Sequence, residues 1–206
     1  QQRMAEQNEL HFATKTAQRH TIKGPLTSVS IPIVPSSTYV LENAQHGAKL
    51  CERKSVSHEQ SQYLYTRWAN PTTDVAAEVI KDLEGGYAAI LTASGMSSII
   101  SVFWTFLKAG DHVVAPLCVY GGTHEYLKNI LSKFAVEVSW VDSTDVSNYK
   151  SAIKDNTKIL YGETPANPTL NLLDLEAFAN IGKAHSILTV VDSTFASPYN
   201  QNPLKL

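Results

Sequence analysis

The segment TKILYGETPANPTLNLLDLEAFANIGKAHSILTVVD, residues 157–192, contains one complete strand–helix–strand pattern. Residues 157–163 and 186–192 are short apolar runs, as expected for strands that are buried on both faces. Between them, residues 172–185 carry apolar side chains at helical spacing. Because two strands joined by a crossover helix run parallel, the segment predicts an α/β domain.

The same alternation of strands and helices extends upstream of this segment. We predict strands over 87–93, 112–116 and 136–141, and helices over 74–86, 94–111, 121–134 and 145–156. Short connections join these elements, which is typical of a mostly parallel sheet with helices on both faces. Residues 66–206 are therefore predicted to belong to one α/β domain.

Residues 1–65 lack this regularity. Pro32 and Pro35 interrupt the β-rich segment 27–39, which favours an extended chain or an edge strand, and the polar residues 42–60 favour a loop or short helix. A long irregular arm is ordered by packing on another surface. We therefore expect residues 1–65 to contact a neighbouring subunit.

Composition and charge exclude several classes of function. The chain has 206 residues, 43% of them hydrophobic, and a net charge of −2, which gives no indication of a nucleic-acid partner. No apolar run approaches the roughly eighteen residues of a membrane span, and the polar N-terminus is unlike a secretory signal. Cys51 and Cys118 are expected to be reduced thiols, so we expect a cytoplasmic protein.

Ligands of parallel sheets bind at the carboxyl ends of the strands, so the residues after each strand are the candidates for a site. These are Ser94, Gly95, Met96, Tyr120, Glu163, Asn167, Asp192 and Thr194. The small residues at 94–96 open a helix whose free N–H groups can bind phosphate, although Ser94 can equally be a plain N-cap. Neither a GxGxxG nor a GxxxxGK[ST] motif is present.

Asp192 ends an apolar strand, and a buried carboxylate needs a partner. An internal salt bridge, a helix cap, a metal ion and a cationic ligand are all open, but the scattered histidines give no metal-ligand spacing, and we expect no metal. A protonated heterocyclic nitrogen, such as that of pyridoxal phosphate, is a fitting partner. Tyr120 can stack on such a ring, transfer a proton or simply pack.

Six segments in order resemble the Cys/Met-metabolism family of pyridoxal-phosphate-dependent enzymes, which includes cystathionine γ-lyase, methionine γ-lyase, cystathionine γ-synthase and O-acetylhomoserine sulfhydrylase. They are YTRWANPT (65–72), LTASGMSSI (91–99), KAGDHVV (108–114), VYGGT (119–123), ETPANPTL (163–170) and VVDSTFASPY (190–199). The resemblance implies an aspartate-aminotransferase-like (fold type I) domain with pyridoxal 5′-phosphate as its cofactor.

The resemblance also implies a role for each candidate residue. Asp192 pairs with the pyridine nitrogen, and Gly95 and Met96 offer N–H groups to the phosphate with Ser94 beside them. Tyr120 stacks on the ring and acts as an acid or base. Asn167 reaches the ring oxygen, Thr194 supports the ring, and Glu163 organises the strand end.

Tyr65 and Arg67 are the pair that the resemblance places across a subunit boundary. They are implied to clamp the phosphate of a neighbouring subunit, as an Arg fork suits a phosphate. The expected assembly is a homotetramer built as a dimer of dimers, without nucleic acid or membrane.

The implied function lies in sulfur amino acid metabolism (transsulfuration), as a lyase that performs γ-elimination on methionine or cystathionine. A γ-replacement enzyme of the cystathionine γ-synthase or O-acetylhomoserine sulfhydrylase type is the first alternative. The second is a truncated, non-catalytic paralogue that acts as an assembly partner. Gly122, where bacterial methionine γ-lyases typically have Cys, and the acidic Glu125 leave the substrate open.

The family's Schiff-base lysine lies in a Ser-x-Thr-Lys motif that does not occur in residues 1–206. We expect this lysine and the C-terminal domain to follow Leu206. The 206-residue chain alone is therefore expected to be inactive and to hold the cofactor weakly.

Overall fold

A computed structural model of the chain describes residues 11–17, 31–52 and 63–206. The chain divides into two compact units, Gln1–Leu91 and Thr92–Leu206. Predictions for residues 1–10, 18–30 and 53–62 lie outside the described residues. The proposed boundary between an arm at 1–65 and a domain at 66–206 stays a prediction.

The described residues of the first unit contain the helices α1 (Phe12–Ala17), α2 (Ala44–Cys51) and α3 (Pro71–Glu84). Helix α3 confirms the helix predicted over 74–86, but it begins earlier because Asn70 caps it and Pro71 occupies its first turn. It ends at Gly85, whose φ of 69° suits glycine. Residues 31–39 are irregular, with one isolated bridge from Thr38 to Tyr65.

The second unit is an α/β fold. Its elements are α4 (Gly95–Phe106), β1 (His112–Pro116), α5 (Gly121–Glu125), β2 (Glu137–Val141), α6 (Ser147–Ser151), β3 (Thr157–Glu163), α7 (Leu175–His185) and β4 (Leu188–Asp192), with a final 3₁₀ turn at Pro203–Lys205. The four strands form one sheet in the order β2–β1–β3–β4. All three strand pairs are parallel, which confirms the predicted fold class.

Buried side chains cover both faces of this sheet. Val113 and Ile159 belong to one apolar cluster with Phe103 of α4. Val114 and Leu160, each one residue further along its strand, belong to a second cluster on the opposite face. Fully buried strands of this kind read as continuous apolar runs, which is why the bounds of β1 and β3 follow from the sequence.

Several predicted elements differ from the structure. The helix predicted over 145–156 is only the short α6, and α7 and β4 begin later than the predicted residues 172 and 186. Residues 87–93 form no strand, and Tyr87 and Ile90 are exposed, because no neighbouring strand among the described residues supplies hydrogen bonds to this run. Helix α4 ends at Phe106 instead of Gly110, since Leu107 is extended. The helix predicted over 121–134 is α-helical only to Glu125 and continues as a π-helix (Tyr126–Ile130) and a 3₁₀-helix (Leu131–Phe134).

Within the described part of the chain, no helix has the length and apolarity to cross a membrane. Cys51 and Cys118 are both free thiols. The cytoplasmic location stays a prediction.

Candidate cofactor site

A cavity of about 310 Å³ lies where the strands of the second unit end. Its lining residues are Ser94, Gly95, Met96, Ile99, Tyr120, Glu163, Pro165, Asn167, Asp192, Thr194 and Phe195. Eight of the ten cofactor-site residues predicted from the sequence therefore surround one space. Ile99, Pro165 and Phe195 were missed, although Ile99 follows Gly95 by one helical turn and Phe195 follows Thr194 directly.

The N-terminus of α4 forms one wall of the cavity. The Ser94 side chain accepts a hydrogen bond from the Ser97 N–H at 3.1 Å, so its hydroxyl caps the helix. Gly95 and Met96 follow in the first turn, where backbone N–H groups have no intrahelical acceptor. A Cβ placed on Gly95 would meet no atom within 4 Å, so open space lies in front of this turn. The arrangement suits an anion.

Asp192 ends β4 and supplies the negative charge of the cavity. Its Oδ1 accepts hydrogen bonds from the Thr194 N–H at 3.0 Å and from the Thr194 hydroxyl at 2.5 Å. Its Oδ2 accepts one from the Tyr161 phenol at 3.3 Å. The half-buried carboxylate is therefore held by three donors. The Thr194 hydroxyl is directed at Asp192, and its predicted support of a ring stays a prediction.

Glu163 ends β3, directly beside Asp192 in the sheet register. Its carboxylate is buried and accepts hydrogen bonds from the backbone N–H groups of Tyr120, at 2.9 and 3.1 Å, and Asn167, at 2.7 Å. Burial raises the pKa of the Glu163 carboxyl and the charge of Asp192 raises it further, while these two N–H donors lower it. The carboxylate fixes the backbone of two other cavity residues.

Tyr120 presents its ring to the cavity and is 45% exposed. A Cβ on Gly122 would lie 2.7 Å from Cε1 of Tyr120 and 3.1 Å from Sδ of Met96. Glycine at 122 therefore allows the Tyr120 ring to rest against the start of α5. Glu125, at the end of α5, is not a lining residue of the cavity, and its carboxylate accepts a hydrogen bond from the Asn129 side chain at 2.7 Å.

Tyr161 was missed by sequence reasoning. It is buried within β3, where its ring packs on Phe103 with centroids 5.5 Å apart. Burial raises the pKa of the Tyr161 phenol well above its ordinary range, and the charges of Asp192 and Glu163 raise it further. The available signal was its position two residues before Glu163, which places both side chains on one face of the strand.

Tyr65 and Arg67 belong to the unit Gln1–Leu91 and are not among the lining residues of the cavity. Both are exposed, and the Arg67 guanidinium carbon lies 5.3 Å from the centroid of the Tyr65 ring. This contact is a cation–π pair. The predicted clamp on a neighbouring subunit's phosphate is not tested by this arrangement.

The residues of the cavity fit a flat cofactor with a phosphate group and a cationic ring nitrogen. Open space in front of the Gly95 and Met96 N–H groups suits the phosphate, and the Asp192 carboxylate suits the ring nitrogen. A parallel α/β sheet with these groups at its strand ends has the features expected of a fold type I pyridoxal-phosphate-binding domain.

A family model described as Cys/Met metabolism PLP-dependent enzyme matches residues 13–206. The chain belongs to this family. Its predicted cofactor, pyridoxal 5′-phosphate, is thereby confirmed.

Relatives within the family carry different activities. The chain is 41% identical to an L-methionine gamma-lyase of Fusobacterium nucleatum subsp. polymorphum, over 95% of this chain and 48% of that protein. It is 37% identical to an O-acetyl-L-homoserine sulfhydrylase of Leptospira meyeri, over 95% of this chain and 44% of that protein. The chain thus spans about half the length of the curated relatives it matches, and they support sulfur amino acid metabolism without one specific activity.

A solved structure extends the comparison to the cofactor. A Campylobacter jejuni protein described as an O-acetylhomoserine (thiol)-lyase superposes with a TM-score of 0.84 at 28% identity, over 96% of this chain and 47% of that one. That structure carries N′-pyridoxyl-lysine-5′-monophosphate.

Proposed function

We propose that the chain is part of a pyridoxal-phosphate-dependent carbon–sulfur lyase that performs γ-elimination on methionine or cystathionine. The observation that carries the proposal is the arrangement of the α4 N-terminus, Tyr120 and Asp192 around one cavity. The 41% identity to an L-methionine gamma-lyase favours elimination. The sulfhydrylase relative keeps γ-replacement as a second candidate.

The residues that would hold the cofactor divide by chemistry. The Gly95 and Met96 N–H groups bind the phosphate, aided by the positive end of the α4 dipole. The Asp192 carboxylate would bind the ring nitrogen, and the Asn167 amide would bind the ring oxygen, since both residues line the cavity. The Tyr120 ring stacks on the flat face. When bound, the cofactor supplies an electron sink for charge that develops on the substrate.

The protein's own groups hold and move protons around this sink. Asp192 keeps a proton on the ring nitrogen, because an adjacent anion favours the charged form of a base. The Tyr120 phenol donates a proton to the departing γ-sulfur. Glu163 holds Tyr120 in position for this proton donation, because its carboxylate accepts a hydrogen bond from the Tyr120 backbone N–H.

The amine that forms the covalent link to the cofactor comes from outside this cavity wall. None of its lining residues is a lysine, and the chain spans about half of its relatives. We therefore expect no turnover from the 206-residue chain alone. Borohydride treatment of the chain with pyridoxal phosphate should leave no reduced cofactor attached to a cavity residue by peptide mapping.

We also propose a homotetramer in which Tyr65 and Arg67 of a neighbouring subunit bind the phosphate. The exposure of both side chains and their cation–π contact support this role, since they present a guanidinium at the surface. Arg67→Lys keeps the charge but loses the fork. It should weaken phosphate binding in the assembled protein and leave a monomeric form unaffected.

The test of the reaction uses the complete reading frame that contains this chain, loaded with pyridoxal phosphate. Release of a 2-oxo acid with a thiol from methionine or cystathionine supports the lyase. Consumption of O-acetylhomoserine and sulfide without 2-oxo acid supports the replacement enzyme. Lack of turnover, together with assembly onto an active subunit, supports the non-catalytic paralogue.

A further inference from the structure

The sequence Val-Asp-Ser-Thr occurs twice, at residues 141–144 at the end of β2 and at 191–194 at the end of β4. Both copies form the same turn. Oδ1 of Asp142 accepts hydrogen bonds from the Thr144 N–H at 3.0 Å and its hydroxyl at 2.7 Å, just as Oδ1 of Asp192 does from Thr194. The threonine contact is therefore a local property of the motif and does not depend on the cavity.

The two aspartates differ at their second oxygen. Asp142 is exposed, whereas Oδ2 of Asp192 accepts a hydrogen bond from the Tyr161 phenol at 3.3 Å. Sheet register brings this about, because Tyr161 pairs with Val190 and Glu163 pairs with Asp192. Tyr161 is only 1% exposed and packs against Phe103, so its ring has little freedom to turn away.

No cation competes for this carboxylate within residues 11–17, 31–52 and 63–206. The ion pairs there join Lys81 to Glu78 and Asp82, and Lys154 to Glu137. Burial raises the pKa of the Tyr161 phenol, so it remains a neutral donor at physiological pH. Asp192 is thus oriented by hydrogen-bond donors on both of its oxygens.

We infer that Tyr161 is a positioning residue that orients the Asp192 carboxylate toward the ring nitrogen of the cofactor. The inference rests on the proposed cofactor site and adds to it a residue that does not line the cavity. The Thr194 contact has a counterpart at Asp142, so the Tyr161 hydrogen bond is the contact that distinguishes Asp192 from Asp142.

A stability comparison tests the Tyr161–Asp192 contact without any ligand. Tyr161→Phe and Asp192→Asn are made singly and together in the cofactor-free protein encoded by the complete reading frame that contains this chain, and the thermal midpoints are measured. The shift of the double variant should be smaller than the sum of the two single shifts, because both remove one contact. Tyr149→Phe is the matched control: its buried phenol donates to the Tyr161 carbonyl at 3.0 Å, and its shift should add to that of Asp192→Asn. Additive shifts for Tyr161→Phe would overturn the inference.

A binding comparison separates positioning from simple packing. The probes are pyridoxine 5′-phosphate, which needs no lysine, and its 1-deaza analogue, which lacks the ring nitrogen. Tyr161→Phe should weaken binding of pyridoxine 5′-phosphate about fivefold, the equivalent of one hydrogen bond, and leave binding of the analogue nearly unchanged. Equal weakening of both probes would overturn the inference, since that is the effect of damaged packing.

The binding measurement distinguishes failure of the proposed cofactor site from failure of the proposed role of Tyr161. If the cofactor-free protein encoded by the complete reading frame binds neither probe, the proposed cofactor site fails, while the thermal midpoints still decide whether Tyr161 orients Asp192. If it prefers the nitrogen-containing probe and Tyr161→Phe keeps that preference, the cofactor site stands and the role of Tyr161 is contradicted.

Discussion

The carboxylate of Glu163 accepts a hydrogen bond from the backbone N–H of Tyr120, with 2.9 Å between N and Oε2. The same carboxylate accepts another from the Asn167 N–H at 2.7 Å. Two residues that are far apart in sequence are thereby fixed to the end of β3. A buried anion that organises the backbone in this way makes the shape of the cavity depend on one side chain.

Replacement of Glu163 by Gln should destabilise the chain by about 2 kcal/mol, because the new amide places a donor against backbone donors. Urea unfolding measures this loss. Glu125→Gln is the control, since Glu125 is exposed and bonds only Asn129. An equal, small effect of both changes would mean that Glu163 does not hold the Tyr120 backbone.

A methyl group at Gly122 should displace Tyr120 or Met96, since the added Cβ would be 2.7 Å from the Tyr120 ring. We expect Gly122→Ala to cost about 1–3 kcal/mol of unfolding free energy, as overpacking does. Gly121→Ala is the matched control, because a Cβ there meets nothing within 4 Å. Urea unfolding of both variants decides, and a neutral Gly122→Ala would contradict the observed packing of Tyr120.

The two Val-Asp-Ser-Thr turns provide a matched pair of variants that tests whether Asp192 binds the ring nitrogen of the cofactor. Asp192→Asn should weaken binding of pyridoxine 5′-phosphate about tenfold or more, because a charge-assisted hydrogen bond becomes a neutral one. Asp142→Asn removes the same carboxylate from an identical turn that lies outside the cavity, and should leave affinity unchanged. Calorimetric titration compares the three proteins, and equal affinities for all of them would exclude Asp192 as the partner.

His112 should make stability depend on pH. Its ring is fully buried in β1, with Nδ1 2.7 Å from the Thr157 hydroxyl and Nε2 2.9 Å from the Ser139 hydroxyl. Burial lowers the pKa of His112 below 6.5 and the Lys154 charge lowers it further, while Glu137 opposes them. The unfolded chain therefore takes up a proton first as the pH falls.

The free energy of unfolding should accordingly be highest above pH 6.5. It should decrease as the pH falls from about 6.5 toward the lower pKa of His112 in the folded state. Urea unfolding at a series of pH values measures the slope. His112→Gln should flatten it, whereas His185→Gln, at an exposed position, should not. An unchanged slope in His112→Gln would show that His112 is not the group responsible.

The fold was predictable where local pattern and tertiary environment agree. The apolar runs at 112–116 and 157–163 become β1 and β3 with the expected bounds because they are central, doubly covered strands. The run at 87–93 is also mostly apolar but has no pairing strand among the described residues, and an apolar sequence alone cannot supply one. Nor does composition distinguish the π and 3₁₀ turns at 126–134 from an α-helix.

The candidate site was predictable to the extent that topology alone places residues. Parallel strands bring their carboxyl ends to one edge, which placed Glu163 and Asp192 at that edge. That they are direct neighbours follows from the pairing of β3 with β4 in the structure. Tyr161 was not predicted as a site residue, because its partner Asp192 lies 31 residues away and a tyrosine within an apolar strand is typical of the core. The roles of Tyr65 and Arg67 depend on an assembly, which a single chain cannot define.

The central claim, a phosphate site at the start of α4 joined to a ring site at Asp192, is most directly tested by titration of the ¹⁵N-labelled chain with pyridoxine 5′-phosphate. We predict saturable shifts of the Gly95 and Met96 amide signals, with the same dissociation constant as shifts at Asp192 and Thr194. Shifts confined to residues outside the cavity, or none at all, would contradict the account.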